Sequence, residues 1–335
     1  MQREIKNIDV AEPNTQPTKE PGYVTGVDVG GTNLRLALAD TSGTILTRWS
    51  SSTVGLRDPE AVIELVCSGV KCMLQEISAP PDALRSIAIG VPGVTDVDKG
   101  IVIATSYLMG WKDVPLRALV EKELNVPAAV DNDVNMAAIG EQWMGNAKNA
   151  RDFVFLAIGT GIGAGIVLDG HLHRGSSWAA GEIGYMLLPG ATQIPAHSDD
   201  PGALESMIGG EGIKAQWRKL LRGEGAGLPT ELNATDIFDR ALNGDSRAQA
   251  LLQQTATMLA QAVYNVSLVL DCPLFVLGGT VGLHPALCDT AQRVLGRWIG
   301  PGSPRLVRST LGTDAQLLGT VRAALNSAGT WTRLT

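Results

Sequence analysis

The chain has 335 residues, of which 44% are hydrophobic and 18% charged, and its formal net charge is -7. This length exceeds the size at which one hydrophobic core keeps growing, so we expect two domains with a cleft between them. Because the charge balance is acidic and no basic run occurs, nucleic acid is not an expected partner. The charged N-terminus MQREIKNIDV lacks the apolar core of a signal peptide, and no apolar run approaches a membrane span. We therefore expect a cytoplasmic protein without a membrane partner.

The apolar pattern divides the chain into a leader and two α/β units. Residues 1–22 are polar, contain three prolines and show no periodicity, which is typical of a flexible leader. We expect a small N-terminal α/β domain over residues 23–132 and a larger α/β domain over residues 133–312. A C-terminal helix at about 313–328 is expected to pack back on the first domain.

The spacing of apolar residues and the turn signals predict the secondary structure in chain order. The predicted elements are strands at 23–29, 34–39 and 44–51, a helix at about 58–77, a strand at 86–91, a helix at 116–124, a strand at 128–130, a helix from 133 to about 144, a strand at 153–158, helices at about 203–222 and 246–270, a strand at 274–277, and helices after 282 and 313. The second strand–turn–strand unit, AIGTGIGAGIVLDG, resembles the first in design, so we expect a duplicated architecture.

The segment GVDVGGTN places Asp28 at the end of the first strand and follows it with a glycine-rich turn. In this turn, formed by Gly30, Gly31, Thr32 and Asn33, backbone N–H groups and a hydroxyl can approach phosphate oxygens. A magnesium ion beside a triphosphate needs a carboxylate, often through water, and a strand-end Asp supplies one rigidly. A plain Asp-Gly hairpin turn is the alternative interpretation.

Two further small-residue turns follow apolar strands. They consist of Gly159, Thr160 and Gly161, and of Gly278, Gly279 and Thr280. The first of them could cradle a polyphosphate from the side opposite to the GVDVGGTN turn. In the second, small residues would let a flat ring approach the backbone, as an adenosine site requires. Because the GxxxxGK[ST] pattern and the dinucleotide fingerprint are both absent, the P-loop and Rossmann interpretations lose support.

The pair Asn132-Asp133 lies between a predicted strand and a predicted helix. A helix N-terminus favours the ionised form of a carboxylate placed there. Such an Asp can accept a proton from a sugar hydroxyl, and phosphoryl transfer needs mainly alignment and charge neutralisation. The alternative role for Asp133 is a simple helix N-cap.

Several motifs occur together along the chain. They are GVDVGGTN, GVPG at 90–93, Gly110-Trp111 with Val114-Pro115-Leu116, an NDxNxAAxGE-like stretch at 132–141, GTGIGAGI, GEIG at 181–184 and LGGTVG. With these motifs, the chain resembles the ROK family of bacterial sugar kinases and repressors over roughly residues 22–328. The resemblance implies the actin-like ATPase (ribonuclease H-like) fold, a homodimer, and transfer of the ATP γ-phosphate to the 6-hydroxyl of a hexose.

The same resemblance implies roles for individual residues. Asp133 matches the catalytic base, Asn132, Glu182 and Glu205 match residues that hold sugar hydroxyls, and Gly93 lines the same pocket. Carboxylates suit this task because a sugar presents several hydroxyl donors at fixed angles. The implied cofactors are ATP and Mg²⁺, and glucose is the expected hexose. For the two glutamates, ordinary surface charges are the alternative.

The chain departs from the family pattern after GEIG. Tyr185 stands where the family has His, although its hydroxyl could contact the sugar, and Tyr107 stands where Asn is frequent. The family's CxCGxxGC cluster, which binds structural zinc, is missing, and Ala203 stands where its last cysteine would be. The four cysteines form no CxxC pair, and His197 alone cannot rebuild a tetrahedral site. We therefore predict no zinc site.

Alternatives to a glucose kinase stay open at this point. The sugar could be an N-acetylhexosamine, mannose or fructose, because pocket shape decides among them, and polyphosphate could replace ATP. A sugar-sensing repressor of the family would carry an N-terminal helix-turn-helix, for which the roughly 22 residues before the first strand are too few. The departures at Tyr185 and in the zinc cluster leave room for a catalytically silent sugar-binding protein.

Overall fold

The computed structural model describes residues 22–56, 58–105, 108, 110–196, 200–221 and 231–329. Residues 1–21 of the predicted leader, Tyr107 and His197 therefore lie outside the described residues. Within the described ranges, no helix combines the length and the apolar character that crossing a bilayer requires.

The described part of the chain is a mixed α/β structure. Its strands are β1 (Tyr23–Val29), β2 (Asn33–Asp40), β3 (Ile45–Ser52), β4 (Leu84–Val91), β5 (Val94–Asp96), β6 (Ile101–Ala104), β7 (Lys112–Val114), β8 (Ala128–Asn132), β9 (Phe153–Ile158), β10 (Ile162–Leu168), β11 (His171–His173), β12 (Leu274–Gly278) and β13 (Arg305–Arg308). Its α-helices are α1 (Pro59–Glu76), α2 (Leu116–Leu124), α3 (Asp133–Met144), α4 (Glu205–Ile208), α5 (Gly210–Leu221), α6 (Ala234–Leu242), α7 (Ser246–Leu270), α8 (Gly279–Gly282), α9 (Pro285–Ile299) and α10 (Ala315–Ser327).

The N-terminal sheet has the spatial order β3-β2-β1-β4-β8. Strands β1 to β3 form the antiparallel meander expected from the sequence, and β4 and β8 run parallel to β1. Parallel strands end at the same edge of a sheet, and ligands of α/β proteins bind at that edge. Asp28 near the end of β1, Gly93 just beyond β4, and Asn132 at the end of β8 are therefore brought to one edge.

The second sheet repeats this plan. Its order is β11-β10-β9-β12-β13, with an antiparallel meander of β9 to β11 and two strands, β12 and β13, that extend the sheet in parallel. The duplication expected from the sequence is confirmed. The turns that follow β9 and β12 lie at one edge of this sheet, because both strands run in the same direction. A small antiparallel sheet of β5, β6 and β7 is inserted after β4.

The two halves are joined by the crossing of α3 and α10. The backbones approach so closely that a Cβ atom on Gly319 would lie 1.6 Å from the carbonyl oxygen of Met136, and one on Gly140 would lie 2.2 Å from that of Ala315. Helix α10 also packs on β1 and β4 of the N-terminal sheet. Its buried residues Val321 and Leu325 form an apolar core with side chains of that sheet.

The structure differs from the expected elements in the second half. The helix predicted at 203–222 is split into α4 and α5, because Gly209 adopts an extended conformation between them with ψ 155°. Helix α6 was not expected from the sequence, and the glycine turn after β12 continues into the short helix α8. Each of these differences lies beside the second or the third glycine turn.

The α3–α10 crossing yields a stability prediction. Gly319→Ala should lower the free energy of unfolding by about 1–3 kcal/mol or more, because the added methyl group meets backbone atoms that cannot rotate away. The matched control is Gly296→Ala in α9, where an added Cβ would meet no atom within 4 Å. That control should be neutral or should stabilise by up to about 1 kcal/mol through helix propensity. Urea unfolding of both variants would measure the difference, and equal midpoints would contradict the packing described.

Candidate active site

Asp133 is the first residue of α3, directly after β8. The helix N-cap is Asn132, whose Oδ1 accepts hydrogen bonds from the backbone N–H groups of Val134 and Asn135 at 2.8 and 3.2 Å. The capping role considered for Asp133 is therefore filled by its neighbour. Asp133 instead accepts a 2.9 Å bond from the N–H of Val134 through Oδ1 alone.

Burial and neighbouring negative charges raise the pKa of Asp133 to about 7. Burial is the largest cause, the charge of Asp28 adds to it, and Glu182 contributes further, while the hydrogen bond from the Val134 N–H acts in the opposite direction. These influences show that carboxylates from three separate segments face one region. A carboxyl group with a pKa near neutrality can take up and release a proton at physiological pH.

The other predicted sugar residues surround this position. Asn132 donates from Nδ2 to the carbonyl oxygen of Gly93 at 2.9 Å, which fixes the loop after β4. Gly93 has φ +105°, and a Cβ there would lie 2.2 Å from the Ala104 carbonyl oxygen, so only glycine fits. Burial and then the charge of Glu205 raise the pKa of Glu182, which places these two carboxylates near each other.

Glu205 connects the sugar residues to the second glycine turn. It begins α4, and its Oε2 accepts a 3.1 Å hydrogen bond from the N–H of Ile162, the residue after Gly161. Tyr185 ends the short 3-10 turn that follows Glu182, and it is 45% exposed. It therefore lies three residues along the chain from Glu182, with nearly half of its surface exposed to solvent.

The first glycine turn is held from behind by a threonine that the sequence did not single out. The N–H of Gly30 donates to the carbonyl oxygen of Asn33 at 2.8 Å and closes the turn. Thr53, which is 2% exposed, donates its hydroxyl to the Gly30 carbonyl oxygen at 2.8 Å and its N–H to that of Thr32 at 3.0 Å. Gly31 and Thr32 themselves are exposed. The turn therefore presents its open side to solvent while its base is fixed.

Asp28, predicted to face magnesium, forms an ion pair with Arg35. These residues lie directly opposite each other in the β1–β2 hairpin. Arg35 Nε and Nη2 both donate to Asp28 Oδ2, at 3.0 and 2.5 Å, and Oδ1 accepts no hydrogen bond from the described residues. Burial raises the pKa of Asp28, and the charge and hydrogen bonds of Arg35 oppose that rise. The free Oδ1 is the kind of oxygen that a magnesium ion or its water accepts as a partner.

The second and third glycine turns share a cavity of about 300 Å³. Gly159, Thr160 and Thr280 line it, together with residues from the starts of α5 and α6. The N–H groups of Gly210 and Glu211 donate to the carbonyl oxygens of Gly159 and Thr160, at 2.8 and 3.3 Å, so the turn is fixed to α5. Gly279 has φ +73°, and a Cβ there would lie 2.4 Å from the Ile158 carbonyl oxygen, so both the backbone conformation and the space favour glycine.

Sequence reasoning missed the polar residues on the far wall of this cavity. They are Glu211, Lys214, Asn233 and Thr235. Lys214 pairs with Glu211 across one helical turn at 2.5 Å, and Asn233 caps α6 through a capping box with Asp236. The spacing Asn233-x-x-Asp236 was the available signal for the start of α6.

The region that would hold zinc in the family is packed by apolar side chains in this chain. Leu188, Ala191, Ala203 and Leu204 are buried in the core of the second half, and Leu188 and Ala191 form an isolated β-bridge. Among the described residues, no group of three or more His, Cys, Asp or Glu side chains is arranged to hold a metal ion.

The comparisons with known proteins bear directly on this site. The model of the ROK family matches residues 24–326. A glucokinase from Halalkalibacterium halodurans is 30% identical over 89% of this chain and 93% of its own length. A xylose repressor from Caldicellulosiruptor bescii is 28% identical over 78% of this chain and 67% of its own, and an N-acetylmannosamine kinase from Salmonella typhi is 29% identical over 90% and 97%.

Solved structures agree with these relatives. The ROK hexokinase from Thermus thermophilus superposes with a TM-score of 0.75 and 27% identity, over 92% of this chain and 99% of its own. The chain has the actin-like ATPase fold of such kinases, as expected from the sequence. This chain belongs to the ROK family.

The raised pKa of Asp133 yields a stability prediction. Because the folded-state pKa of about 7 lies above the ordinary 3.8, ionisation of Asp133 opposes folding progressively as pH rises between these values. Asp133→Asn should therefore raise the melting temperature at pH 8, and the gain should be smaller at pH 5.5. The control Asp82→Asn changes an exposed carboxylate and should show no such pH-dependent gain. Calorimetry at both pH values would measure this, and a gain that is larger at pH 5.5 would contradict the sign.

Proposed function

We propose that this ROK-family sugar kinase transfers the γ-phosphate of ATP to the 6-hydroxyl of glucose, with Asp133 as the general base. The observation that supports the proposal most is the half-buried carboxylate of Asp133, whose pKa is raised to about 7, at the edge where β1, β4 and β8 end. A sugar hydroxyl beside this carboxylate would be aligned and would lose its proton late in phosphoryl transfer.

The acceptor sugar would lie between Asp133 and the two glutamates. Asn132 and Gly93 would form one wall, and Glu182 and Glu205 would accept hydrogen bonds from hydroxyls on the other. The side-chain oxygen of Asn132 caps α3 and one N–H of its amide binds the Gly93 carbonyl, so the second amide N–H is the group left for the sugar. A set of acceptors held at fixed positions discriminates against sugars that lack a matching hydroxyl.

The donor would be ATP. The cavity that Gly159, Thr160 and Thr280 share has a volume of about 300 Å³, and we propose that it takes the adenosine and adjoining phosphates. The Gly30–Asn33 turn and the Gly159–Gly161 turn would bind the phosphates through N–H and hydroxyl groups. A polyphosphate donor would have no use for a cavity of this kind, which favours a nucleotide.

Asp28 would hold Mg²⁺, directly or through water. The bound ion would neutralise charge on the β- and γ-phosphates. Arg35 binds only Oδ2 of the Asp28 carboxylate, and Asp28 is close enough to Asp133 for its charge to raise the pKa of Asp133. This arrangement leaves the other oxygen for the ion.

Two finer assignments accompany the proposal. We propose a homodimer, as the resemblance implies, and a domain boundary at the β8–α3 junction, with α10 belonging to the small domain. The packing of α10 on β1 and β4 supports that assignment of the helix.

A sugar-sensing regulator is the second candidate, because a xylose repressor is among the relatives. The acidic net charge of -7 speaks against it. Specific duplex DNA binding at physiological salt would favour the regulator over the kinase.

A hexose panel with ATP and magnesium tests substrate and activity together. Glucose should give the highest kcat/KM among glucose, mannose, fructose and N-acetylmannosamine in an ADP-release assay.

Asp133→Ala should lower kcat by at least about 10²-fold, the usual contribution of a general base, while sugar binding measured by calorimetry is retained. The exposed-site control Asp82→Ala should leave both unchanged. Near-normal turnover of Asp133→Ala would refute the mechanism, and a preference for another sugar would correct the substrate.

The pH dependence of kcat/KM reports the pKa of the base in the free enzyme. Since Asp133 must be ionised to accept a proton, activity should rise with pH through about 7. Glu182→Gln removes a negative charge that raises this pKa, so the remaining activity should show its inflection at lower pH. An inflection that stays in place or moves to higher pH would contradict the electrostatic account.

A further inference from the structure

Asp131 is a buried carboxylate next to Asn132 and Asp133, and it lies outside the residues that we assign to sugar or nucleotide. It is 4% exposed. Its Oδ1 accepts hydrogen bonds from the N–H of Asn132 at 2.7 Å and from Nδ2 of Asn135 at 2.9 Å. Its Oδ2 accepts from Nε and Nη2 of Arg174, at 2.9 and 2.7 Å. One carboxylate therefore binds the strand–helix junction on one side and a residue of the second half of the chain on the other.

Arg174 begins the loop that carries Glu182. It follows β11 directly, and its carbonyl oxygen accepts a 3.1 Å hydrogen bond from the N–H of Ala180, which closes the loop. The next residue, Gly181, is held against β10: the N–H of Ala164 donates to its carbonyl oxygen at 2.8 Å. A displacement of Arg174 would therefore be passed on to Glu182 through a short, hydrogen-bonded segment.

The chemistry of the Asp131–Arg174 ion pair suits a rigid contact between the two halves of the chain. The side chain of Asp131 is 5% exposed and that of Arg174 is 30% exposed, so the carboxylate is shielded from water while the guanidinium is partly open to it. Removing Arg174 would leave the buried carboxylate of Asp131 without its compensating charge, which destabilises the contact between the two segments. Two guanidinium nitrogens on one carboxylate also fix direction as well as distance, which a lysine ammonium cannot do.

We propose that the Asp131–Arg174 ion pair sets the position of the Glu182 loop relative to Asn132 and Asp133, and that Arg174 is a positioning residue for the sugar. The proposal rests on the proposed function, because it takes the sugar to lie between these two segments. Neither residue needs to touch the sugar. The pair acts by keeping the acceptor groups of the two halves at the spacing that the hydroxyls require.

The chain offers a matched control in the pair Arg240–Asp245. There Nε and Nη2 of the arginine bind one carboxylate oxygen at 3.1 and 2.8 Å, and the other carboxylate oxygen caps α7. The exposed fraction of the arginine side chain is similar, at 33%. This pair has the same chemistry but lies outside the residues that we assign to sugar or nucleotide.

Steady-state kinetics and direct sugar binding of the full chain test the proposal. Arg174→Met should raise the sugar KM and the sugar Kd about tenfold or more, because a small misplacement of binding groups is costly, while the ATP KM stays within about twofold. Arg174→Lys should recover part of the sugar affinity. Arg240→Met should lower the melting temperature without changing the sugar KM. If Arg174→Met and Arg240→Met had the same small effect on sugar KM and Kd, the pair would be merely structural and the proposal would be overturned.

Hydrogen exchange separates this proposal from the proposed function. In Asp131→Asn, amides of the 175–183 loop should exchange faster, although the substitution lies in the other half of the chain. If the wild-type protein neither bound nor phosphorylated any hexose, the proposed function would fail. Faster exchange in the 175–183 loop would then still support the claim that the Asp131–Arg174 ion pair sets the position of this loop. Unchanged exchange there would overturn that claim.

Discussion

The structure depends on one constraint, which is the free-energy cost of placing several carboxylates close together in a partly desolvated region. Asp133, Asp28 and Glu182 come from three separate segments, and burial raises the pKa of each. The charges of Asp28 and Glu182 raise the pKa of Asp133 further, and the charge of Glu205 does the same for Glu182. The fold offsets this cost locally, because Arg35 binds Asp28 and the N-terminus of α3 faces Asp133. The carboxylates to which we assign proton transfer and substrate binding are therefore also groups that disfavour the folded state.

The duplicated sheets explain how such a site is held rigidly. Each half ends its parallel strands at one edge, and the glycine turns lie at those edges. The α3–α10 crossing then fixes one half against the other, backbone against backbone. Asp314, just before α10, also contacts Arg35 at 3.8 Å and Arg48 at 2.9 Å, so the helix is connected by charge to the hairpin that carries Asp28. Packing and electrostatics thus support the same geometry.

Much of this could be predicted from the sequence, since local patterns carried it. The first meander, the glycine turns and the position of Asp133 all follow from strand spacing and small residues. Arg35 could also have been found, because a hairpin closed at residues 30–33 pairs position 28 with position 35. The ion pair between Asp131 and Arg174 could not be predicted, since it links residues that are 43 positions apart and lie in separate halves of the chain. Pairings of this kind depend on how the halves meet, which no local pattern records.

A crystal structure of the protein with glucose, magnesium and a non-hydrolysable ATP analogue tests the central claim most directly. The account predicts that a carboxylate oxygen of Asp133 lies about 2.6–3.2 Å from the sugar hydroxyl that points at the terminal phosphate. The phosphates should contact the turns at 30–33 and 159–161. A sugar whose nearest hydroxyl is bound by other groups, with Asp133 directed away from it, would contradict the account.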